Sequence, residues 1–114
     1  GGNFPLWLAP IQITILTVSE KFKDYGKDLL KQLKSVGMRA ELDNRADKIG
    51  AKIRNAEMNK VNVMLIVGAR EVEAGEVSVR RRFEGDLGQM KVTQLIEKLD
   101  NEINNRRRNE QSQK

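Results

Sequence analysis

Apolar and polar positions recur along this chain with two different periods, and the switches between them mark its elements. From Ile11 to Val18 the residues alternate and are rich in β-branching (Ile11, Ile13, Thr14, Ile15, Thr17, Val18), which predicts a first strand. Ser19 then stands as a helix N-cap with Glu20 in the first turn. Phe22, Tyr25, Leu29, Leu33 and Val36 follow at steps of three and four, an apolar helical stripe that Gly37 ends. The opposite face carries Lys23, Lys27, Lys31 and Lys34 and is read as solvated. Met38 to Leu42 predicts a short second strand running into the polar loop Asp43 to Asp47. A second helix is expected from about Lys48 to Asn59, with Ile49, Ile53 and Ala56 turned inward. Gly50 interrupts it at a cost of ~1 kcal/mol relative to alanine. That cost predicts close approach of another backbone, either a neighbouring strand or a nucleic-acid strand.

Val61 to Val67 is the most apolar segment and is placed as a central, buried strand. A loop containing Glu71 leaves it, a turn at Ala74-Gly75 reverses the chain, and a fourth strand returns. Strict alternation there points Val77 and Val79 to one face and Ser78, Arg80 and Arg82 to the other. Phe83 to Gln89 holds two glycines and is expected as loop, with room for a short edge strand. Val92, Leu95, Ile96, Leu99 and Ile103 define a last helix. Arg106-Arg107-Arg108 are expected just after it, complementing the helix dipole, and residues 109–114 as a disordered polar tail. The first ten residues, with Pro5 and Pro10, are expected as an extended lead-in, and Trp7 as an anchor packing it onto this domain or a neighbouring one. The order β-α-β-α-β-β-α predicts one three-layer α/β domain over residues 11–108, its mixed sheet parallel at the start and closed by an antiparallel strand.

Composition narrows the chemistry. The chain has 114 residues, enough for one domain, and no cysteine or histidine. Thiolate nucleophiles, imidazole bases and disulfides are therefore absent, and the acidic residues are scattered rather than clustered. Neither a G-x-G-x-x-G nor a P-loop is present, so a self-contained enzyme or nucleotide-cofactor protein has little support. The formal charge of +5 favours a polyanionic partner, with nucleic acid ahead of an anionic membrane surface. No apolar run approaches membrane-spanning length, no signal peptide is legible, and a disulfide-free chain suits the cytoplasm. Because the chain opens Gly1-Gly2-Asn3 without Met, it is expected to be a piece of something longer.

Lys48, Lys52 and Arg54 crowd the start of the second helix, where free N–H groups also favour anions. Arg45 lies on the loop just before it. In this topology these residues share the carboxyl edge of the parallel strands with Glu71, an edge where open α/β sheets bind ligands. Asp43, Asn44, Arg45, Lys48, Arg54, Glu71 and Arg80 are expected to converge there. A carboxylate beside a phosphate backbone is repelled, so Glu71 on such a surface requires a partner bearing donors, and a base edge supplies them.

Three segments carry a family resemblance, and together they span essentially the whole chain in order. FPLWLAPIQ (Phe4 to Gln12), DNRADKIGAKIRNAE (Asp43 to Glu57) and GAREVEAGEVSVRRR (Gly68 to Arg82) resemble the C-terminal anticodon-binding domain of bacterial-type threonyl-tRNA synthetase. Prolyl, glycyl and histidyl relatives share the fold and come second, and a protein-interaction or regulatory domain reusing the same fold is the alternative reading. The resemblance implies a mixed, mostly parallel five-stranded sheet flanked by three helices. It implies a homodimeric class II parent that charges threonine tRNA using ATP, with zinc in a catalytic domain outside this chain; within the chain itself no cofactor is expected. It also implies that Glu71 suits the G, and Arg80 the U, at the second and third anticodon positions. Guanine offers N1–H and N2–H side by side to a carboxylate, whereas the guanidinium, donor only, suits the carbonyls of uracil. Lys48 and Arg54 match positions suited to phosphates or the first anticodon base, and Arg45 joins them. Ala46 departs from relatives that carry a polar residue there, and no contact is assigned to it. Arg81, on the Val77/Val79 face, is expected to be structural.

Overall fold

The computed structural model describes residues 5–112, with side chains described through residue 105. The centre of the fold is β1 (Ile13–Thr17), a strand buried on both faces. It pairs in parallel with β2 (Ala40–Asp43) and β3 (Val63–Val67). Next, β4 (Glu76–Arg81) pairs antiparallel to β3, and β5 (Gly85–Lys91) antiparallel to β4. The sheet order is β2-β1-β3-β4-β5.

The period of two in these strands sends two different residue sets to the two faces, and the helices sort accordingly. Ile13, Ile15, Ala40, Val63, Leu65, Val67, Val77 and Val79 belong to the larger core. They pack there against Leu29 and Leu33 of α1 (Lys23–Ser35) and Leu95, Leu99 and Ile103 of α4 (Val92–Ser112). On the other face Leu16 and Met64 meet Ala56 of α2 (Ile49–Met58) and Val61, with Ile49, Ile53 and Ile66 partly buried around them. This second core draws only on β1, β3 and α2 with its flank. The register pairs Met64 with Arg80 and Ile66 with Ser78, so β4 continues that face with polar side chains, and apolar packing stops at β3.

Expected and observed elements differ in several places. The segment leaving β3 is a six-residue helix, α3 (Ala69–Ala74), rather than a loop, so the described residues hold four α-helices and not three. Six residues are too few for a 3.6-residue period to show, and Gly75 closes the helix in the left-handed region at φ +67°. The glycine-rich stretch after β4 does pair as a full edge strand despite weak β-propensity, aided by a register shift at Val79/Arg80. Between its two prolines the lead-in makes a 3₁₀ turn, Leu6–Leu8, instead of staying extended. It is anchored as foreseen: Leu6 is buried, Trp7 packs on the main core, and Arg39 donates to the carbonyls of Ala9 (2.8 Å) and Trp7 (3.2 Å). Lastly, a side chain at Gly50 would meet nothing within 4 Å, so no close backbone explains that residue. It sits in the first turn of α2, a helix whose N-cap residue makes no side-chain capping bond.

The backbone of α4 is helical through Ser112, so Arg106-Arg107-Arg108 are inside the helix rather than after it. Their side chains, and the end of the polar tail, lie outside the described residues, as do Gly1 to Phe4. Arg81 has the structural role expected of its face. Its two terminal nitrogens donate to Glu102 of α4 at 2.8 and 2.7 Å, and that fork holds the guanidinium pKa above its usual value. Arg81→Met is expected to lower stability by about 1–2 kcal/mol, allowing for the partial exposure of Glu102. Urea unfolding measures this, and a change under about 0.5 kcal/mol would mean the fork is idle.

Candidate nucleic-acid interface

Three parallel strands end together at Asp43, Thr17 and Val67, and that edge is where the charged groups gather. Gly68 follows β3 and caps α3. A Cβ on Gly68 would lie 3.1 Å from Glu71 Oε1, so glycine clears the space in which that carboxylate folds back. Glu71 Oε1 accepts the Gly68 backbone N–H at 2.7 Å, the side-chain half of a capping box. Its Oε2 accepts two more hydrogen bonds, from Ser78 Oγ at 3.2 Å and from Gln89 Nε2 at 2.7 Å. Ser78 and Gln89 are direct neighbours across the β4–β5 ladder, so both point to the face that α2 leaves uncovered. Glu71 is only 7% exposed. A carboxylate has about four acceptor sites, and three are filled within the chain.

Arg80 lies on the same face, two residues further along β4, roughly 7 Å from Ser78 at the rise of a strand. Its Nε is 3.8 Å from Glu57 Oε1 on α2, and the guanidinium borders a hollow of about 250 Å³ with Met64, Arg82 and Phe83. Phe83 is 88% exposed at the hairpin tip, with the Arg82 guanidinium 4.7 Å from its ring centre. The polar face of β4 is therefore a strip, with acceptors at the Glu71 end and guanidiniums at the other.

Not all of the expected residues converge on that strip. Arg45 forks onto Asp43, both bonds at 2.9 Å, with Asp47 3.7 Å away. Both Arg45 and Asp43 line a separate hollow of about 540 Å³, with Pro10, Thr14, Asn44 and Asn59, on the β2 side of α2. It is the larger of the two hollows, yet Glu71 and Arg80 lie outside it. Lys48 is the exposed N-cap residue of α2, and Arg54 is exposed one turn and a half further on. Lys52 departs from its expected place in the basic surface. It is 2% exposed, and Nζ donates to the Thr17 carbonyl at 2.9 Å and to Thr17 Oγ1 at 3.3 Å. The ammonium thus ties α2 to the end of β1. The helical period places Lys52 on the inward arc with Ile49, Ile53 and Ala56, and only its charge argued for the basic surface. Gln89 was invisible for a different reason, since its role exists only once β5 pairs with β4.

Residues 12–102 match the family model described as an anticodon binding domain. The chain belongs to that family. Its similarity within the family is to threonine–tRNA ligases. That of Prosthecochloris aestuarii is 52% identical over 106 residues, 93% of this chain and 16% of the relative. That of Synechocystis sp. is 46% identical over 104 residues, 91% of this chain and 17% of the relative. Among solved structures, the RNA binding domain of threonyl-tRNA synthetase from Cryptosporidium parvum Iowa II superposes with a TM-score of 0.81 at 32% identity. It covers 85% of this chain, which in turn spans 24% of that one. Histidyl-tRNA synthetase from Nostoc sp. shares the fold, with a TM-score of 0.76 at 17% identity over 83% of this chain and 23% of its own. This anticodon-binding domain therefore spans about a sixth of the length of the curated relatives it matches.

Among the described residues of the domain, no three Asp, Glu, His or Cys side chains gather as a metal site, and no helix is long and apolar enough to cross a membrane.

Two stability outcomes follow from these buried charges. Lys52→Met keeps the stem and removes both hydrogen bonds to Thr17, so it should cost about 1–3 kcal/mol in urea unfolding. Arg54→Ala should cost less than about 0.5 kcal/mol. The Arg45 fork, followed by backbone and charge effects from the same residue, holds the Asp43 carboxyl below its free value of 3.8. A lowered folded-state pKa contributes stability that is complete above pH 3.8 and is lost as pH falls through the folded value. Asp43→Asn should accordingly narrow the gap in urea midpoint between neutral pH and about pH 3, and an unchanged gap would assign the acid sensitivity elsewhere.

Proposed function

We propose that this chain is the anticodon-reading part of a threonine–tRNA ligase, binding the anticodon loop of threonine tRNA so that the parent enzyme charges it with threonine using ATP. The catalytic domain acts in cis outside this chain, in a homodimeric, cytoplasmic parent, and ATP and zinc belong to that part. The observation that supports the reading best is the acceptor cluster around Glu71 on an uncovered polar sheet face, in a domain of formal charge +5. Excess cations attract the phosphate backbone whatever its sequence, and Lys48 and Arg54 serve that attraction beside the free amides of α2. A buried carboxylate contributes nothing to that attraction, so its place on the face is explained by selection among bases.

In this reading the second anticodon base, G, is presented to the Glu71 cluster, which has acceptors to meet N1–H and N2–H. Adenine carries a lone pair at N1 and meets repulsion there. The third base, U, comes to Arg80, whose donors face its carbonyl oxygens. Ser78, at the Glu71 cluster, and Arg80 are two residues apart on one face of β4, so the two points are neighbours on one strip.

Titration with short anticodon stem-loops tests the reading. The stem-loop with G and U at the second and third positions should bind more tightly than one with A replacing G. Glu71→Gln should shrink that preference, and Arg80→Ala should relax the preference for U, each by about 1–3 kcal/mol of discrimination. Lys48→Ala should instead weaken all stem-loops alike and flatten the salt dependence. Equal binding to the G and A stem-loops at every salt concentration would leave only an electrostatic surface and remove base reading from this domain.

A further inference from the structure

Resting on that reading, we propose that Gln89, rather than Glu71 alone, reads the second anticodon base, and that Glu71 is the positioning residue that decides which end of the Gln89 amide is offered. A glutamine amide has a donor end and an acceptor end and, left free, presents either one. Here it is not free. Its Nε2 lies 2.7 Å from a carboxylate oxygen, which accepts only, so the nitrogen end faces Glu71 and cannot be exchanged with the oxygen end. The carbonyl oxygen Oε1 accepts no hydrogen bond among the described residues, and the side chain is exposed. Ser78 is treated in the same way: its hydroxyl proton is committed to Glu71 Oε2 at 3.2 Å, and its oxygen lone pairs remain.

Glu71 itself is poorly placed to meet a base. It is 7% exposed, Oε1 is held by its own helix cap, and Oε2 already receives two donors. The same three bonds that occupy it strip the donors from the outward side of the cluster. A serine and a glutamine, each ordinarily both donor and acceptor, are left facing solvent as acceptors. A surface of that kind fits a base edge carrying adjacent donors, which is the Watson–Crick edge of guanine. It opposes adenine, whose N1 lone pair would face an oxygen. The exocyclic N2–H of guanine is assigned to Gln89 Oε1.

Inosine separates this from a role for Glu71 alone, because it keeps the N1–H of guanine and lacks the N2 amine. Stem-loops carrying G, inosine or A at the second anticodon position are titrated against the wild-type chain, Gln89→Met and Ser78→Ala. Wild type should prefer G over inosine roughly five- to tenfold, the worth of one neutral hydrogen bond. Gln89→Met, similar in length and without polar atoms, should bind G and inosine within about twofold of each other. Ser78→Ala should keep the wild-type ratio, since it removes a brace on Glu71 and leaves the Gln89 oxygen in place. Glu71→Gln should raise the affinity for the A stem-loop, because the Gln89 amide is then free to turn its NH₂ outward. Thermal melts of all variants accompany the titrations; Gln89 lies on an exposed edge strand, and Gln89→Ser provides a second replacement if the methionine variant melts early.

A wild-type preference for G over A without any preference for G over inosine would overturn the assignment to Gln89 and leave Glu71 as the reader. So would an inosine ratio that survives Gln89→Met. Loss of the inosine ratio in Ser78→Ala and Gln89→Met alike would reduce Gln89 to a brace. No preference between G and A in wild type would take down the anticodon reading itself, and this inference with it.

Discussion

A buried carboxylate must be met by donors, and Glu71 draws its donors from the turn before α3, from β4 and from β5. Each of those elements is weak by itself. The helix is six residues long, too short to be stable alone, and β5 is an edge strand interrupted by Gly88. One side chain links them into a unit, and leaving one of its oxygens unmet would cost about 1–3 kcal/mol. The arrangement of the hairpin, the register of β5 and the start of α3 are thus tied to one group. That group is also what gives the open face its chemical sign.

The openness of the face follows from the sheet. Every strand contributes apolar residues to the side covered by α1 and α4, but on the other side only β1 and β3 do. A single helix, α2, is enough to cover them. Beyond β3 the alternation continues with Ser78 and Arg80, and burying those under another helix would require partners for every donor. The polar strip stays uncovered because its residues make covering it expensive. Lys52 secures the cover on the β1 side, since its ammonium fastens α2 to the end of β1.

Much of this was legible before any coordinates. The strands, α1, α2 and α4 stand out because each repeats its period several times, and Gly37 and Gly75 punctuate where left-handed backbone is needed. The polar face of β4 could be read from alternation alone, and so could the structural role of Arg81. What could not be read depends on contacts between distant parts of the chain. α3 is shorter than two turns, so its pattern does not repeat. The helical period turns Lys52 inward and Arg54, about 200° away, outward, but the partner that makes burial of the ammonium tolerable, Thr17, is distant in sequence. Arg45 was expected at the Glu71 edge, but its nearest carboxylates, Asp43 and Asp47, hold it within its own loop. Gln89 sits in a stretch whose glycines argue against a strand, and only the ladder with β4 brings it to Glu71.

In the proposed reading, the placement of an acidic group at the centre of a basic domain separates two tasks that charge alone would merge. Attraction between cations and phosphates is long-ranged, falls with salt, and is nearly the same for every RNA. Discrimination has to come from short-ranged groups whose direction is fixed before the ligand arrives, since a side chain free to turn would adapt to either base. Burial of Glu71 provides that fixity. Its charge is masked by three short-range donors and adds little repulsion to an approaching backbone, while its acceptor character passes outward through the oriented oxygens of Ser78 and Gln89. A solvated glutamate at the same point would repel the phosphates it sits among and would turn too freely to reject the wrong base. On that proposal, the two tasks share one surface because the carboxylate assigned to selection is held beneath it.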